Sequence, residues 1–393
     1  MRQKNIQIIS HSFPNAFQPY DGIFVRDHAS ATSTQFNVEV LVPTPYAIPF
    51  TAKQHKNRAP LYSPDNIKTD RVRYFSLPSK IFPSLIRSSL SKKLTSYLRK
   101  RKPHLIHIHF LYSSGLAIPA LKNALNCPVV ITIHGVDFYH TVNKPKLREL
   151  LLESLHSADA IIAVGPQLRK DILAQFPELD TKLHTIHNYV DTSYFFPVSI
   201  DSKQNLKKEL GLSSDRFQLL SVANFRYKKG IDLLVEALSM ANERTEIDLH
   251  LIGRRNEEPE FEAAVLSTIA KKGIQNFHIH GPKPRGSIQK WMQAVDGFIL
   301  PSRNEPFGIS LIEAMACGLP VISTKSGGPE VILSGSHGIL VSKENPKALS
   351  DAIVEMAAKP KVNLKEQLQF TQDNFGMESY IKAHIELYKN LFY

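Results

Sequence analysis

Only two cysteines occur in 393 residues, Cys127 and Cys317. Two thiols build no disulfide framework and fit a reducing compartment. No apolar run is long enough to cross a bilayer. The short one in "MRQKNIQIIS" falls below the length of a signal peptide. No Asp-x-Asp pair and no cysteine–histidine cluster is present, so no metal-ligand spacing can be read. No short repeat or low-complexity tract appears either. Acidic residues are missing from the whole interval between Asp70 and Asp137, where Lys80, Arg87, Lys92, Lys93, Arg99, Lys100, Arg101 and Lys102 fall. Nucleic acid, an anionic membrane or a phosphate-rich ligand would each suit such a stretch. No nucleic-acid recognition motif accompanies the charge, so that partner is not expected.

What is present is enough for two full-sized cores. The hydrophobic fraction is 42% and charged residues make up 21%, which excludes a disordered chain. Short β-branched runs such as "NIQIIS", "HLIHIHF", "PVVITIHG", "FQLLSVA", "DLHLIG" and "GFILPS" alternate with amphipathic stretches such as "KKGIDLLVEALSMA". The runs lack strict alternation, as strands buried on both faces of a parallel sheet do. The expected fold class is therefore α/β, with two Rossmann-like doubly wound parallel-sheet domains facing a central cleft. The rhythm pauses near residues 188–198. The expected division is one domain over residues 1–190, a second over 198–372, and a helix over 373–393 for which a return onto the first domain is one arrangement. Small or polar residues close the presumed strands, among them Ser10, His109, His134, Asn224, Ser302 and Gly327. Turns need such residues anyway, yet ligands of open parallel sheets also bind at these ends.

In "PSRNEPFGISLIEAMACGLPVIS" a strand ends at Pro301–Ser302, a loop follows, and a helix runs from about Gly308 to a stop at Gly318. Gly308 admits close approach to the backbone, and the free N–H groups of the first turn attract anions. Glu305 and Glu313 conflict with a purely phosphate-binding loop. A ligand that is part anion and part polyol resolves the conflict, because a carboxylate accepts two hydrogen bonds from vicinal hydroxyls. The alternative is that both glutamates only complement the helix dipole, worth about 0.3–1 kcal/mol each.

The pattern E-P-F-G-x-x-x-x-E-A-M-A-C-G-x-P-V resembles the signature of glycosyltransferase family 4, retaining enzymes of the GT-B fold. The resemblance implies that Glu313 holds the ribose hydroxyls of the donor and that Glu305 lies near the transferred sugar. It implies that the amides of Phe307, Gly308 and Ile309 meet that sugar and the diphosphate. Lys229–Gly230 matches the family's Lys-Gly pair, whose lysine neutralises the diphosphate. The family's arginine position falls on Asn224, which is neutral, and Arg226 is the candidate replacement. "ITIHGVDFY" resembles the family's H-G-x-D segment, with His134 near the sugar or phosphate and Asp137 orienting the loop; a strand-end histidine held by backbone is the other reading. Gly22 stands alone where the family has a glycine-rich loop touching the diphosphate, followed by Arg26, Asp27 and His28. "HNYVD" carries Tyr189 where the family has glycine. His107 alternates with His109 and reads as core.

The function implied is transfer of a sugar, with retention, from a nucleoside-diphosphate sugar to a hydroxyl of a glycan or lipid-linked acceptor in envelope or extracellular polysaccharide synthesis. No metal and no cofactor are implied, the nucleotide sugar being a substrate. The alternative is a non-catalytic nucleotide-sugar-binding subunit of a glycan-assembly complex. The expected location is the cytoplasm, with the inner membrane face as docking place for the basic stretch. Phe82, Ile86, Leu90, Leu94 and Leu98 form an apolar stripe there, which fits packing on the sheet.

Overall fold

The computed structural model describes residues 4–19, 21–46, 60–63, 67–76, 82–334, 337–358 and 363–392. Lys80 of the basic interval lies outside them. Contacts divide the chain into two compact units, Met1–His187 with Ile381–Tyr393, and Asn188–Tyr380.

The first unit is a seven-stranded sheet: β1 (Asn5–Ile9), β2 (Asn37–Tyr46), β3 (Lys68–Phe75), β4 (Leu105–His109), β5 (Val129–Ile133), β6 (Ala160–Ala163) and β7 (Leu183–Thr185). Its order is β3-β2-β1-β4-β5-β6-β7, and every pair is parallel. β4 and β5 are buried at every position, which is why β5 is a near-continuous apolar run; in β4 the buried positions include His107 and His109. β3, "KTDRVRYF", escapes a sequence reading. It is an edge strand whose charged residues stay partly exposed, held by eight register pairs with β2. The basic helix Pro83–Arg101 buries Ile86, Leu90, Leu94 and Leu98. Phe82, at its mouth, departs from the stripe and is 56% exposed. Arg87 pairs with Glu153, and Arg101 with Glu39 and Asp70. Lys92, Lys93, Arg99, Lys100 and Lys102 remain exposed.

The second unit has six strands: β8 (Phe217–Val222), β9 (Ile247–Ile252), β10 (Phe277–His280), β11 (Gly297–Leu300), β12 (Val321–Thr324) and β13 (Ile339–Val341). The order is β10-β9-β8-β11-β12-β13, again all parallel. The helix Ile231–Ala241 has seven buried residues, among them Leu234, Val235 and Leu238, which pack with Leu219, Leu249 and Ile299 of the sheet. Truncating such a fully buried leucine to alanine costs about 2–5 kcal/mol. In both units the strand order reverses beside the first strand, between β1 and β4 and between β8 and β11. Ligands of doubly wound sheets bind at that switch point, outside the carboxyl ends.

One buried histidine of the second unit makes acid stability measurable. His250 Nε2 lies 2.8 Å from Gln218 Oε1, and its Nδ1 lies 3.1 Å from His280 Nε2. Burial, then the neighbouring His278 and His280, pushes its pKa down to about 3. The unfolded chain takes up this proton near pH 6.5, the folded unit only near 3. Stability is therefore present above pH 6.5 and is lost as pH falls from there toward 3, by about 1.4 kcal/mol per pH unit. Urea unfolding at pH 7.5 and 5.5 is expected to show this loss in the native chain and a smaller one in His250→Gln.

Candidate functional site

At the switch point of the second unit, the loop after β8 meets the loop after β11. The first loop carries Asn224, Arg226, Lys228 and Lys229. The second carries Ser302, Arg303 and Glu305. Arg303 locks them together: its backbone N–H donates to Lys228 O at 2.8 Å, and its guanidinium reaches Tyr227 O at 2.8 Å. Asp232 and Glu344 accept from the same guanidinium. Burial alone would lower the Arg303 pKa; these two carboxylates outweigh it and raise it. Arg303 carries no feature in the sequence that sets it apart from a surface arginine.

This junction brings Lys229 Nζ to 2.5 Å from Glu305 Oε2 across 76 positions of sequence. Glu305 is 8% exposed. Ser302 Oγ lies 3.4 Å from the same oxygen. The backbone of Glu305 is held as a strand would be: its N–H donates to Ser326 O at 2.9 Å, and its carbonyl accepts from Gly328 N–H at 2.7 Å. A nearly buried carboxylate is thus fixed at both its side chain and its main chain.

Phe307 turns inward, 2% exposed, with its ring 5.8 Å from that of Phe375. Gly308 precedes the helix Ile309–Ala316 with φ 112°, a conformation that excludes most side chains. The first helical N–H bonds run from Leu311 and Ile312 to Gly308 O, so the amides just before them belong to the turn that has no intrahelical acceptor. Ile309 and Glu313 are half-buried in this helix.

The other cations differ in their engagement. Arg226 is paired with Glu257. Asn224 Oδ1 accepts from Arg254 N–H at 2.9 Å, and its Nδ2 is 3.5 Å from Glu257 Oε1. The carboxylate of Glu257 thus neutralises the arginine that stands two residues after the neutral Asn224. Lys228, the neighbour of the motif lysine, is half-buried. Its pKa is pushed down to about 8 by burial, then by Lys229, with Glu305 opposing. Lys228, Lys229, Glu305, Arg226 and Glu257 form one electrostatic group.

In the first unit, Gly22 (φ 64°) caps the helix Ile23–Ser33, and a Cβ there would lie 2.3 Å from Ser12 O. Arg26 and Asp27 pair with each other. His134 follows β5, half-buried between the rings of Phe24 (4.6 Å) and Phe110 (4.7 Å). Its Nε2 lies 3.1 Å from His109 Nδ1. Burial, then His11, pushes the His134 pKa down to about 3. Asp137 holds the loop: Oδ1 accepts from His134 N–H at 3.0 Å and Oδ2 from Leu111 N–H at 2.7 Å. Burial pushes Asp137 up to about 6 against those N–H bonds. His11, after β1, is a residue that sequence reasoning passed over. Its ring lies 4.8 Å from Phe110, and its Nδ1 lies 3.3 Å from Ser114 Oγ. In the linker, Tyr189 packs against Tyr380 at 4.6 Å, and Asp191 Oδ1 accepts from Ser193.

Residues 202–372 match the family described as glycosyl transferases group 1, and residues 23–194 match glycosyltransferase family 4. The chain is 26% identical over 271 residues to the N-acetyl-alpha-D-glucosaminyl L-malate synthase of Bacillus anthracis, covering 68% of this chain and 69% of that protein. Among solved structures, the sucrose-phosphate synthase of Thermosynechococcus elongatus superposes with a TM-score of 0.79 at 21% identity, over 99% of both chains. Anabaena HepE, solved in complex with UDP and glucose, gives 0.75 at 17% identity over 99% of this chain and 100% of its own. At these identities the superpositions speak for the GT-B fold. The two family matches lie one on each parallel-sheet unit, and they place this chain among the glycosyltransferases of group 1 and family 4.

Proposed function

We propose that the protein transfers a sugar, with retention, from a nucleoside-diphosphate sugar to a hydroxyl of a glycan or lipid-linked acceptor in envelope or extracellular polysaccharide synthesis. The observation that carries this reading is the Lys229–Glu305 pair at the switch point of the second unit. The HepE complex with UDP and glucose supports a nucleoside-diphosphate donor. In the proposed mechanism the leaving diphosphate gains negative charge as the glycosidic bond to it breaks. Lys229, with Lys228 beside it and Arg226 released from Glu257, accepts that charge. Each charge-assisted hydrogen bond is worth about 1.5–3 kcal/mol. The amides of Phe307, Gly308 and Ile309 serve as further donors. Glu305 addresses the sugar, Gly22 the diphosphate, Asn224 the donor side of the loop, and His134 the sugar or phosphate.

Glu313 is assigned to the ribose hydroxyls. Glu313→Ala is expected to weaken donor binding about 10–100-fold, the loss of one charged hydrogen-bond acceptor, with turnover at saturation little changed. Calorimetric titration with the nucleoside diphosphate alone checks this; unchanged affinity removes the assignment. No metal takes part in the proposed transfer, so turnover is expected to be the same with and without added Mg²⁺ or Mn²⁺.

A second reading, a nucleotide-sugar-binding subunit without catalysis, draws on the neutral Asn224. Donor turnover by the purified protein with acceptor present separates the two. No helix among the described residues is long and apolar enough to cross a membrane. The exposed lysines and arginines of the helix Pro83–Arg101, with Phe82 beside them, are proposed to dock on the anionic inner face of a membrane, at about 1 kcal/mol per basic residue. Sedimentation with anionic vesicles at low salt tests this, and absence of binding there defeats it.

A further inference from the structure

The core of the first unit contains polar groups that sugar transfer does not use. β4 directs His107 inward. The helix Ile23–Ser33 supplies His28. The C-terminal helix, Met377–Leu391, supplies His384 and Tyr388, one turn apart on one face. The three histidines are 0%, 0% and 3% exposed. Their ligand-capable nitrogens all lie within 4.8 Å of one another. The Tyr388 hydroxyl stands among them, 2.6 Å from His107 Nδ1 and 3.3 Å from His28 Nε2. The other nitrogen of His107, Nε2, lies 2.7 Å from Thr132 Oγ1. Beside the group, His109 stacks on His107 at 4.4 Å and keeps a buried Nε2 that has no hydrogen-bond partner among the described residues.

Space-filling alone does not call for this arrangement. Leucine or phenylalanine would fill the volume without desolvating imidazoles. Three imidazoles from three separate elements converge here instead, and neutral imidazole is the form that binds a metal.

We propose that His28, His107 and His384, with Tyr388 as fourth ligand, form a structural Zn²⁺ site that fastens the C-terminal helix to β4 and to the first helix. Imidazole and phenol oxygen suit zinc better than Ca²⁺ or Mg²⁺. A closed, buried set of four ligands is the structural rather than the catalytic kind of zinc site. The contact of His107 Nε2 with Thr132 is the outer hydrogen bond that orients a metal-bound imidazole and fixes its tautomer. Tetrahedral zinc at about 2.0–2.1 Å from nitrogen sets the ligand atoms about 3.3 Å apart. The imidazoles, whose nitrogens lie within 4.8 Å of one another, therefore draw inward around the ion, while the Tyr388 oxygen, 2.6 Å from His107 Nδ1, moves away from that nitrogen to make room. As the Zn–O bond forms, the Tyr388 phenol releases its proton to solvent.

The test uses the full chain, produced without a histidine tag, with Zn²⁺ and Co²⁺ as probes. Elemental analysis after growth with zinc is expected to find one Zn per chain. Zn²⁺ added to chelator-treated protein at about 100-fold over its Kd is expected to raise Tm by about 5–10 °C. Co²⁺ is expected to give the strong visible absorption of a tetrahedral site. His384→Ala should lose all three signals, while His156→Ala, at a surface histidine, should lose none. Should His384→Ala not fold, Tyr388→Phe keeps the ring and the three imidazoles, and is expected to shift the Co²⁺ spectrum and weaken binding. Metal-free protein as stable as zinc-treated protein, or zinc binding unchanged in both cluster variants, overturns the site. None of these readouts involves sugar transfer, so the outcome is independent of the function proposed above.

Discussion

Glu305→Gln is expected to lower turnover by about 100–1,000-fold, the range seen when one preorganised polar group is removed from an active site. The substitution keeps the shape of the side chain and leaves an amide oxygen that can still accept from Lys229 Nζ, now 2.5 Å from the carboxylate. What it removes is the negative charge in a nearly closed setting. The fold should survive, because the backbone bonds of residue 305 to Ser326 and Gly328 do not involve the side chain. Lys229→Met is expected to cost a similar factor. If the two groups act as a unit, the double variant will lose little more than the worse single one. Steady-state kinetics with donor and acceptor, and far-UV circular dichroism for each variant, provide the check. Full activity in Glu305→Gln would end the assignment of this junction as the reaction site.

Gly328→Ala is expected to damage both stability and activity from a position that carries no chemistry. Its φ is −63°, so alanine is acceptable to the backbone itself. The obstacle is space: a Cβ would lie 2.0 Å from Phe307 O and 2.3 Å from Phe307 Cα. Those are main-chain atoms of the Glu305–Gly308 loop and cannot rotate away. Relief requires the loop to move off Gly328, breaking the 2.7 Å hydrogen bond from Gly328 N–H to Glu305 O. Overpacking of this kind costs about 1–3 kcal/mol. A displacement near 1 Å of groups that position substrate costs about 100-fold in rate. Denaturant unfolding and kinetics on the same preparation measure the two effects. An alanine variant with native stability and native rate would show that the loop is not buttressed at this contact.

The loss in Gly328→Ala depends on a contact that sequence alone does not reveal. Residues 305 and 328 belong to different crossovers, and nothing in "SGGPEV" marks Gly328 as the one pressed against Phe307. Local signals fared better. The apolar runs that became β1, β4, β5, β8, β9 and β11 could be read because both faces of a parallel strand are buried, which leaves a continuous hydrophobic trace. β3 could not, since an edge strand bears charged side chains and its pairing with β2 is a tertiary event. Phe82 fits the helical stripe by spacing yet lies at the helix mouth and stays exposed, because periodicity does not fix where a helix starts.

The same division holds for side chains that carry charge. The motif around Glu305 and Glu313 can be recognised because its spacing is local, one strand–loop–helix unit. The partnership of Arg226 with Glu257, the depressed pKa of Lys228, the clamp made by Arg303, and the meeting of His28, His107 and His384 all join residues from separate crossovers. The chain alone determined the α/β class, the parallel character of its two sheets and the family, since burial period and short motifs are written in consecutive residues. Folding alone decided which charges neutralise each other and which imidazoles share one interior, because Coulomb energy and desolvation depend on distances in space that sequence separation does not encode.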